Sequence, residues 1–248
     1  MPDESLVQRA FSRERAAVYD REFERLGAIK ELLHLLLRIR FDGLPEDARI
    51  LVAGAGTGAE ARFLAPLFPG WRFTLVDPAG GMLAVAEQHA NAEGFADRCV
   101  FHHGYVSSAP VEPHHAATSV LVSQFLTDAG ERRSYFEDIA RRLEPGGLLF
   151  NADLAADQSA PGFDGAMDLW LSMMKYAAQG PASAEQDANA SHGNRPSFRE
   201  LFGKVVAAHD PETVEGLIQQ AGFERIVPCF QAVLIRAWLA TRTAGTTV

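Results

Sequence analysis

The run Val52-Ala53-Gly54-Ala55-Gly56-Thr57-Gly58 follows a short apolar stretch, Ile50-Leu51-Val52-Ala53. Glycines at such a place let a chain turn tightly and let its backbone approach a ligand closely. The helix expected after them would offer free N–H groups and the positive end of its dipole. Asp77 closes the next apolar stretch, 19 positions after Gly58. A carboxylate there can accept both hydroxyls of a ribose, so loop and acid together form a nucleoside-binding signature. The pattern does not name the nucleoside, because Gly54, Gly56 and Ala59 also satisfy G-x-G-x-x-G/A, the dinucleotide fingerprint. A tight strand-to-helix turn with no ligand would look the same.

Other residues are candidates with weaker patterns. Gly104-Tyr105-Val106 reads as a turn at the end of a third strand, beside His102 and His103, and Val122-Ser123-Gln124 ends a fourth. His102 and His103 read as a strand end beside a binding turn, and His114 and His115 as solvated loop residues. Phe101, Phe125 and Phe150 read as core. Trp170-Leu171-Ser172-Met173-Met174-Lys175-Tyr176 is aromatic and methionine-rich, and would suit packing or contact with a flat apolar acceptor. Arg199 could anchor an anion in bidentate fashion or be a solvated helix charge. No carboxylate and histidine cluster suggests a metal, no Tyr-x-x-x-Lys pair supports hydride transfer, and no residue stands out as catalytic.

The elements that must position these residues follow from periodicity. Leu26, Ile29, Leu32, Leu33, Leu36 and Leu37 form one stripe of an N-terminal helical region, residues 4–40 in two pieces. Strands are expected at 50–53, 71–76, 99–102, 119–122 and 148–152, with helices at 58–67, 80–92 and 130–143 between them. Glu144-Pro145-Gly146-Gly147 should stop the last of these helices. Strands alternating with helices imply an α/β, Rossmann-like, doubly wound parallel sheet. The alternation then breaks at residues 155–209, which hold one helix (164–176) and a polar loop, Gly180 to Pro196. A loop that long is usually a lid or disordered. A helix at 211–220 follows, then strands at 225–230 and 233–239 with no helix between them, which should pair antiparallel. The expected organisation is a single domain: an N-terminal helical cap (1–45), a core (46–154 and 210–242) and a lid insertion (155–209).

Composition excludes several classes. The 248 residues are 47% hydrophobic and 22% charged, with a formal net charge of −9 and no basic stripe, so nucleic acid would be repelled. Two cysteines, Cys99 and Cys229, lie in no metal or disulfide pattern. The acidic start, Met1-Pro2-Asp3-Glu4, does not resemble a signal peptide, and Leu32 to Phe41 is too short and charged to span a bilayer. The expectation is a cytoplasmic protein acting on a small molecule, with no membrane partner; a homodimer is left open.

Three segments carry a resemblance to the class I S-adenosylmethionine (SAM)-dependent methyltransferase superfamily. Asp77-Pro78-Ala79-Gly80-Gly81-Met82-Leu83 resembles its D-x-S-x-x-M-L stretch, and Leu143 to Leu148 its L-x-P-G-G-x-L turn. The terminal hairpin resembles its reversed seventh strand. The resemblance covers roughly residues 48–153 and 210–240. It implies SAM as cofactor and S-adenosylhomocysteine (SAH) as product. Gly54, Ala55, Gly56 and Gly58 would pass under the amino-acid part, Asp77 would hold the ribose, and Pro78 and Met82 would flank the adenine. Gly104, Tyr105 and Val106 would meet the base, with Tyr105 replacing the family's acid, and Ser123 and Gln124 would meet the methionine part. Ala17-Val18-Tyr19-Asp20 resembles the N-terminal cap segment, placing Tyr19 with Trp170, Met174 and Arg199 on the acceptor side. A narrower resemblance, Phe198 to Glu224, is to the carboxy-SAM synthase family, where Arg199 matches an arginine for the ligand's carboxylate. The expected activity is methyl transfer to a small acceptor. The alternatives are a carboxy-SAM-making or carboxy-SAM-using enzyme, an NAD-linked oxidoreductase, or a silent SAM-binding subunit.

Overall fold

The computed structural model describes residues 25–178 and 205–244. Tyr19, Arg199 and the polar loop from Gly180 to Pro196 lie outside the described residues. Within them the order is α1 (Gly27–Phe41), β1 (Arg49–Ala53), α2 (Ala59–Leu64), β2 (Arg72–Asp77), α3 (Gly80–Ala92), β3 (Cys99–His103), β4 (His114–Val120), α4 (Ala129–Arg141), β5 (Leu143–Leu154), α5 (Phe163–Ala178), α6 (Pro211–Gln220), β6 (Phe223–Ala232) and β7 (Ile235–Arg242). The seven strands form one sheet in the order β3-β2-β1-β4-β5-β7-β6. β1 to β5 run parallel, while β7 lies antiparallel to both β5 and β6.

The central strands are near-continuous apolar runs because helices cover both faces. On one face, Leu33, Leu37 and Phe41 of α1, Ala61 and Leu64 of α2, and Leu83, Ala86 and Ala90 of α3 pack on Ile50, Val52, Phe73 and Leu75. On the other, Phe136, Ile139 and Ala140 of α4 and Val214, Leu217 and Ile218 of α6 pack on Leu51, Ala117, Leu149 and Trp238. Helix starts are fixed by caps: Asp128 accepts from Glu131 N–H at 2.9 Å, and Asp210 from Thr213 N–H at 2.8 Å with Pro211 behind it. A third cluster joins Met167 and Trp170 of α5 to Leu154, Val206, Ala208, Leu234 and Ile235, which seats the insertion on the end of β5 and the β6–β7 turn.

Two expectations about β4 and β5 are corrected. β4 begins at His114, not Ser119, and His114 is buried rather than solvated: its ring nitrogens bond to the Arg142 carbonyl (3.0 Å) and the Thr74 hydroxyl (2.9 Å). Burial holds its imidazole below the ordinary range, outweighing those bonds. His115 also sits in the strand, where its Nδ1 accepts from Arg49 N–H at 3.0 Å. α4 ends at Arg141, before Glu144–Gly147 as expected, but β5 begins at Leu143 rather than Leu148 and takes that segment into the strand. The segment enters through a register shift, with His114 opposite Leu143 but Ala116 opposite Leu148, and Gly146 takes a left-handed φ of 81° there.

Candidate active site

A cleft of about 660 Å³ opens at the C-terminal ends of β1, β2 and β4. It lies at the point where the strand order reverses between β1 and β4, the usual ligand crevice of an open α/β sheet. Its walls are built by the turns at the ends of β1, β2, β3 and β4 and by α4.

The glycine loop forms the first wall. Gly54, Gly56 and Gly58 all have left-handed φ, at 71°, 54° and 83°, which a side chain would strain. At Gly54 a Cβ would also collide with the side chain of Val122, which packs directly against it. The loop's N–H groups are engaged within the protein. Gly54 and Ala55 both donate to the Val76 carbonyl (2.8 and 2.9 Å), Gly56 to Asp77 Oδ2 (2.7 Å) and Gly58 to the Ala55 carbonyl (2.8 Å). The loop therefore meets a ligand with bare backbone rather than with a nest of donors. The expectation of free N–H groups at the helix start concerns α2, which is only six residues long, and is untouched by these loop bonds.

Asp77 ends β2 and faces the cleft, 8% exposed. Its two oxygens are aimed by Gly56 N–H and by Ala79 N–H, each at 2.7 Å. Each oxygen keeps a second lone pair, so the carboxylate can still accept a diol. Burial pushes its pKa above the usual carboxylate range, opposed by the two N–H bonds and by His103. Pro78, Ala79 and Met82 continue this wall, and Gly104, Tyr105, Val106 and Ser107 face it. His102 and His103 do not line the cleft but brace its turns, through Ser108 Oγ (2.9 Å) and the Pro78 carbonyl (3.2 Å).

The third wall follows β4, and here the structure places residues differently from the sequence reading. Ser123 and Gln124 are turned away from the cleft. Ser123 Oγ donates to Asp153, and Gln124 Oε1 accepts from Leu154 N–H at 3.0 Å. The residues that line the cleft are Leu121, Val122, Phe125 and Leu126, so Phe125 serves the site as well as the core. Leu121 sits at a left-handed φ of 57°. That is an uncommon conformation for a branched side chain, and it marks the turn at the switch point.

Sequence reasoning missed a buried cluster behind this wall. Arg132 of α4, fully buried, lies 3.8 Å from Asp153 Oδ2, and donates to the Leu126 carbonyl (3.2 Å) and the Ala207 carbonyl (2.8 Å). Ala207 N–H in turn donates to the Gln124 carbonyl at 2.8 Å. Burial raises the Asp153 pKa to about 6 despite Arg132 and Ser123. The cluster clasps the segment returning from the insertion to the turn after β4. Arg132 precedes Phe136 by one helical turn and so lies on the buried stripe of α4, the one signal that could have revealed it.

Trp170 and Met174 do not line the cleft. They pack in the α5 cluster together with Leu121 and Phe125, which do. Among the described residues no Lys, Arg or His lines the cleft, while Asp77, Asp128, Glu131 and Asp138 all do. No group of acidic, histidine or cysteine side chains among them could hold a metal ion. No described helix is long and apolar enough to cross a membrane.

A seven-stranded sheet with a reversed β7, a left-handed glycine turn and an acid ending β2 define a nucleoside-binding α/β domain of the SAM-dependent type. Residues 50–147 match the family model described as a methyltransferase domain. That part of the chain is similar to class I SAM-dependent methyltransferases, whose methyl donor is SAM. The chain is similar end to end to a carboxy-S-adenosyl-L-methionine synthase of Dichelobacter nodosus, 28% identical over 96% of this chain and 94% of that protein. A malonyl-[acyl-carrier protein] O-methyltransferase of Bacillus cereus is 35% identical over 40% of this chain and 36% of its own length. Two curated relatives are thus matched over only 13% and 36% of their lengths. The mitomycin 7-O-methyltransferase MmcR superposes with a TM-score of 0.65 over 97% of this chain and 60% of that one, at 16% identity, which speaks to the fold alone.

The cleft fits SAM. The left-handed glycine turn brings bare backbone at Gly54 and Gly56 to the cleft, a buried carboxylate with spare lone pairs stands beside it, and apolar side chains suited to a base flank both.

Proposed function

We propose that the protein is a SAM-dependent methyltransferase acting on a small-molecule acceptor. The observation that carries this reading is the charge and donor pattern of the cleft. A dinucleotide brings a pyrophosphate, which needs free N–H groups or cations. Here Gly54, Ala55, Gly56 and Gly58 donate within the protein, and the lining side chains that carry charge are acids. That suits a sulfonium nucleoside and opposes NAD.

In this reading Asp77 accepts the ribose hydroxyls, and Gly54 and Gly56 let the backbone pass close under the amino-acid part. Pro78, Met82 and Val106 enclose the base. Ser123 and Gln124 act through the position of the β4 turn. When bound, SAM supplies a methyl group made electrophilic by its sulfonium. Leu121, Val122 and Phe125 form an apolar wall that excludes water from the reacting end, with Trp170 and Met174 behind it. The described parts of the insertion, residues 155–178 and 205–209, pack behind that wall on the acceptor side. Orientation of acceptor against donor can lower such a barrier by ~7–11 kcal/mol without a nucleophilic side chain.

Calorimetric titration tests the cofactor. SAH should bind and NADH should not. Asp77→Ala should weaken SAH by roughly 1.5–3 kcal/mol, the loss expected for hydrogen bonds to a charged group. Equal affinity in Asp77→Ala, or binding of NADH alone, would overturn the reading.

A second reading is favoured by the end-to-end similarity to the Dichelobacter synthase: the nucleoside handled is carboxylated. The acidic cleft argues against it, and Arg199, whose charge could reverse that argument, lies outside the described residues. Mass spectrometry of the nucleoside that co-purifies with the protein separates the two.

A further inference from the structure

Behind the cleft wall the sheet carries a row of polar side chains. Ser119 on β4 and Asn151 on β5 are register partners, so their side chains leave the sheet side by side. Asp153 follows two residues on and therefore points to the same face, where Arg132 of α4 meets it. The parallel bridge between Ala155 and His209 continues that row into the segment returning from the insertion. Ser119, Arg132, Asn151 and Asp153 are all fully buried.

These groups do not satisfy one another. Neither Nδ2 nor Oδ1 of Asn151 meets a protein partner, and the same holds for Arg132 Nη1 and His209 Nε2. Exchanging the amide nitrogen and oxygen of Asn151 by a half-turn changes nothing, because both are unpartnered. Arg132 Nη1 stands 3.8 Å from Asp153 Oδ2, too far for a hydrogen bond and near enough for one molecule beside the pair to touch both. The charges of Asp153 and Arg132 offset each other. Burial, with Arg132 nearby, holds the His209 imidazole below its ordinary range, so the ring adds no second cation. What completes the cluster must then be small and neutral, and must both donate and accept.

We propose that Asn151, Arg132 and Asp153 enclose at least one internal water molecule, which accepts from Arg132 Nη1 or Asn151 Nδ2 and donates to Asp153 Oδ2 or Asn151 Oδ1. Water held by two to four polar groups is the usual completion of such a buried site. The site lies behind the wall and does not depend on the cofactor reading. It adjoins the cleft floor through Ser119, whose Oγ accepts from Tyr135 at 3.0 Å. It adjoins the wall through Arg132, which also holds the Leu126 and Ala207 carbonyls. Floor, wall and returning segment thus rest on one hydrated network. Its three enclosing residues are fully buried, so the water leaves only when the wall opens, and it stays bound for longer than the molecule takes to tumble.

The test uses the full chain and its Asn151→Leu variant. Leucine is close to asparagine in size but neither donates nor accepts. Oxygen-17 relaxation dispersion counts internal waters that outlast tumbling, and the count should fall by at least one in the variant, with circular dichroism showing that both proteins are folded. A crystal structure of the wild type that shows ordered solvent gives an arm that needs no variant. It should place water density within hydrogen-bond distance of the Asn151 amide and of Arg132 Nη1 or Asp153. An equal count in the two folded proteins overturns the proposal. So does density in which Asn151 bonds only to protein atoms or faces a dry gap.

Discussion

At the end of β2 the polar group faces the ligand space; in the turn after β4 and at the end of β5 the polar groups face away from it. Asp77 presents its carboxylate to the cleft, set by two backbone donors in its own wall. Asp153, at the end of β5, is buried with Arg132 and Ser123 and presents nothing. The two acids end parallel strands of one sheet, β2 and β5, with β1 and β4 between them, and the difference lies in what covers them. α4 and the returning segment at Val206–Asp210 close over Asp153, whereas the short crossover after β3 leaves Asp77 open. Polarity at a strand end therefore does not by itself assign a residue to the ligand: on one side it makes the site, on the other it holds the wall that the site leans on.

Removing Arg132 is the strongest way to break this contrast. Arg132→Met should destabilise the protein by roughly 3–5 kcal/mol, the cost of leaving a buried acid without its charge partner. The Leu126 and Ala207 carbonyls would lose their donors as well. Chemical denaturation measures the loss, and a change under about 1 kcal/mol would show that the cluster does not clasp the wall.

Much of the first side was legible in the sequence and little of the second. The glycine loop, Asp77, the α3 helix and the terminal hairpin are local patterns: a turn that needs positive φ, an apolar run ending in an acid, a stripe at helical spacing. Their structures follow from neighbours in the chain. The start of β4 was hidden because His114 looks solvated until Thr74 and the Arg142 carbonyl, both distant in sequence, are brought to it. Ser123 and Gln124 stand beside cleft residues and differ from them only in which way the turn throws the side chain. That direction is set by Leu121, whose left-handed backbone has no signature in the sequence.

The glycine-loop side carries a buried acid of its own, and pH should expose it. Glu60, 9% exposed at the start of α2, has a pKa raised to about 7, chiefly by burial. A folded-state pKa above the unfolded value means a contribution fully present at low pH and lost as pH rises through the folded pKa. Between about pH 4.5 and 7 the wild type should therefore lose on the order of 3 kcal/mol at this site. Glu60→Gln cannot ionise and should escape that loss. Its stability relative to wild type should rise from pH 5 to pH 8 in thermal melts. A difference that stays flat across that range would mean that Glu60 is solvated when charged.

The smallest expected effect discriminates best between a ligand contact and a wall residue. Ser123→Ala removes the hydroxyl that donates to Asp153 and touches nothing that lines the cleft. Asp153 would keep Arg132 at 3.8 Å and the Leu154 N–H at 3.1 Å, so the loss is one donor among several. Stability should fall by about 1–2 kcal/mol, the usual range for a buried polar partner left partly satisfied. SAH affinity should change less than about threefold, because hydrogen bonds to the ligand are not involved. The wall itself, Leu121 to Leu126, is also held by the Gln124 bond to Leu154 N–H and by Arg132 on the Leu126 carbonyl. A Ser123→Ala protein as stable as wild type but weakened tenfold or more for SAH would invert the assignment, moving Ser123 from the wall into the site.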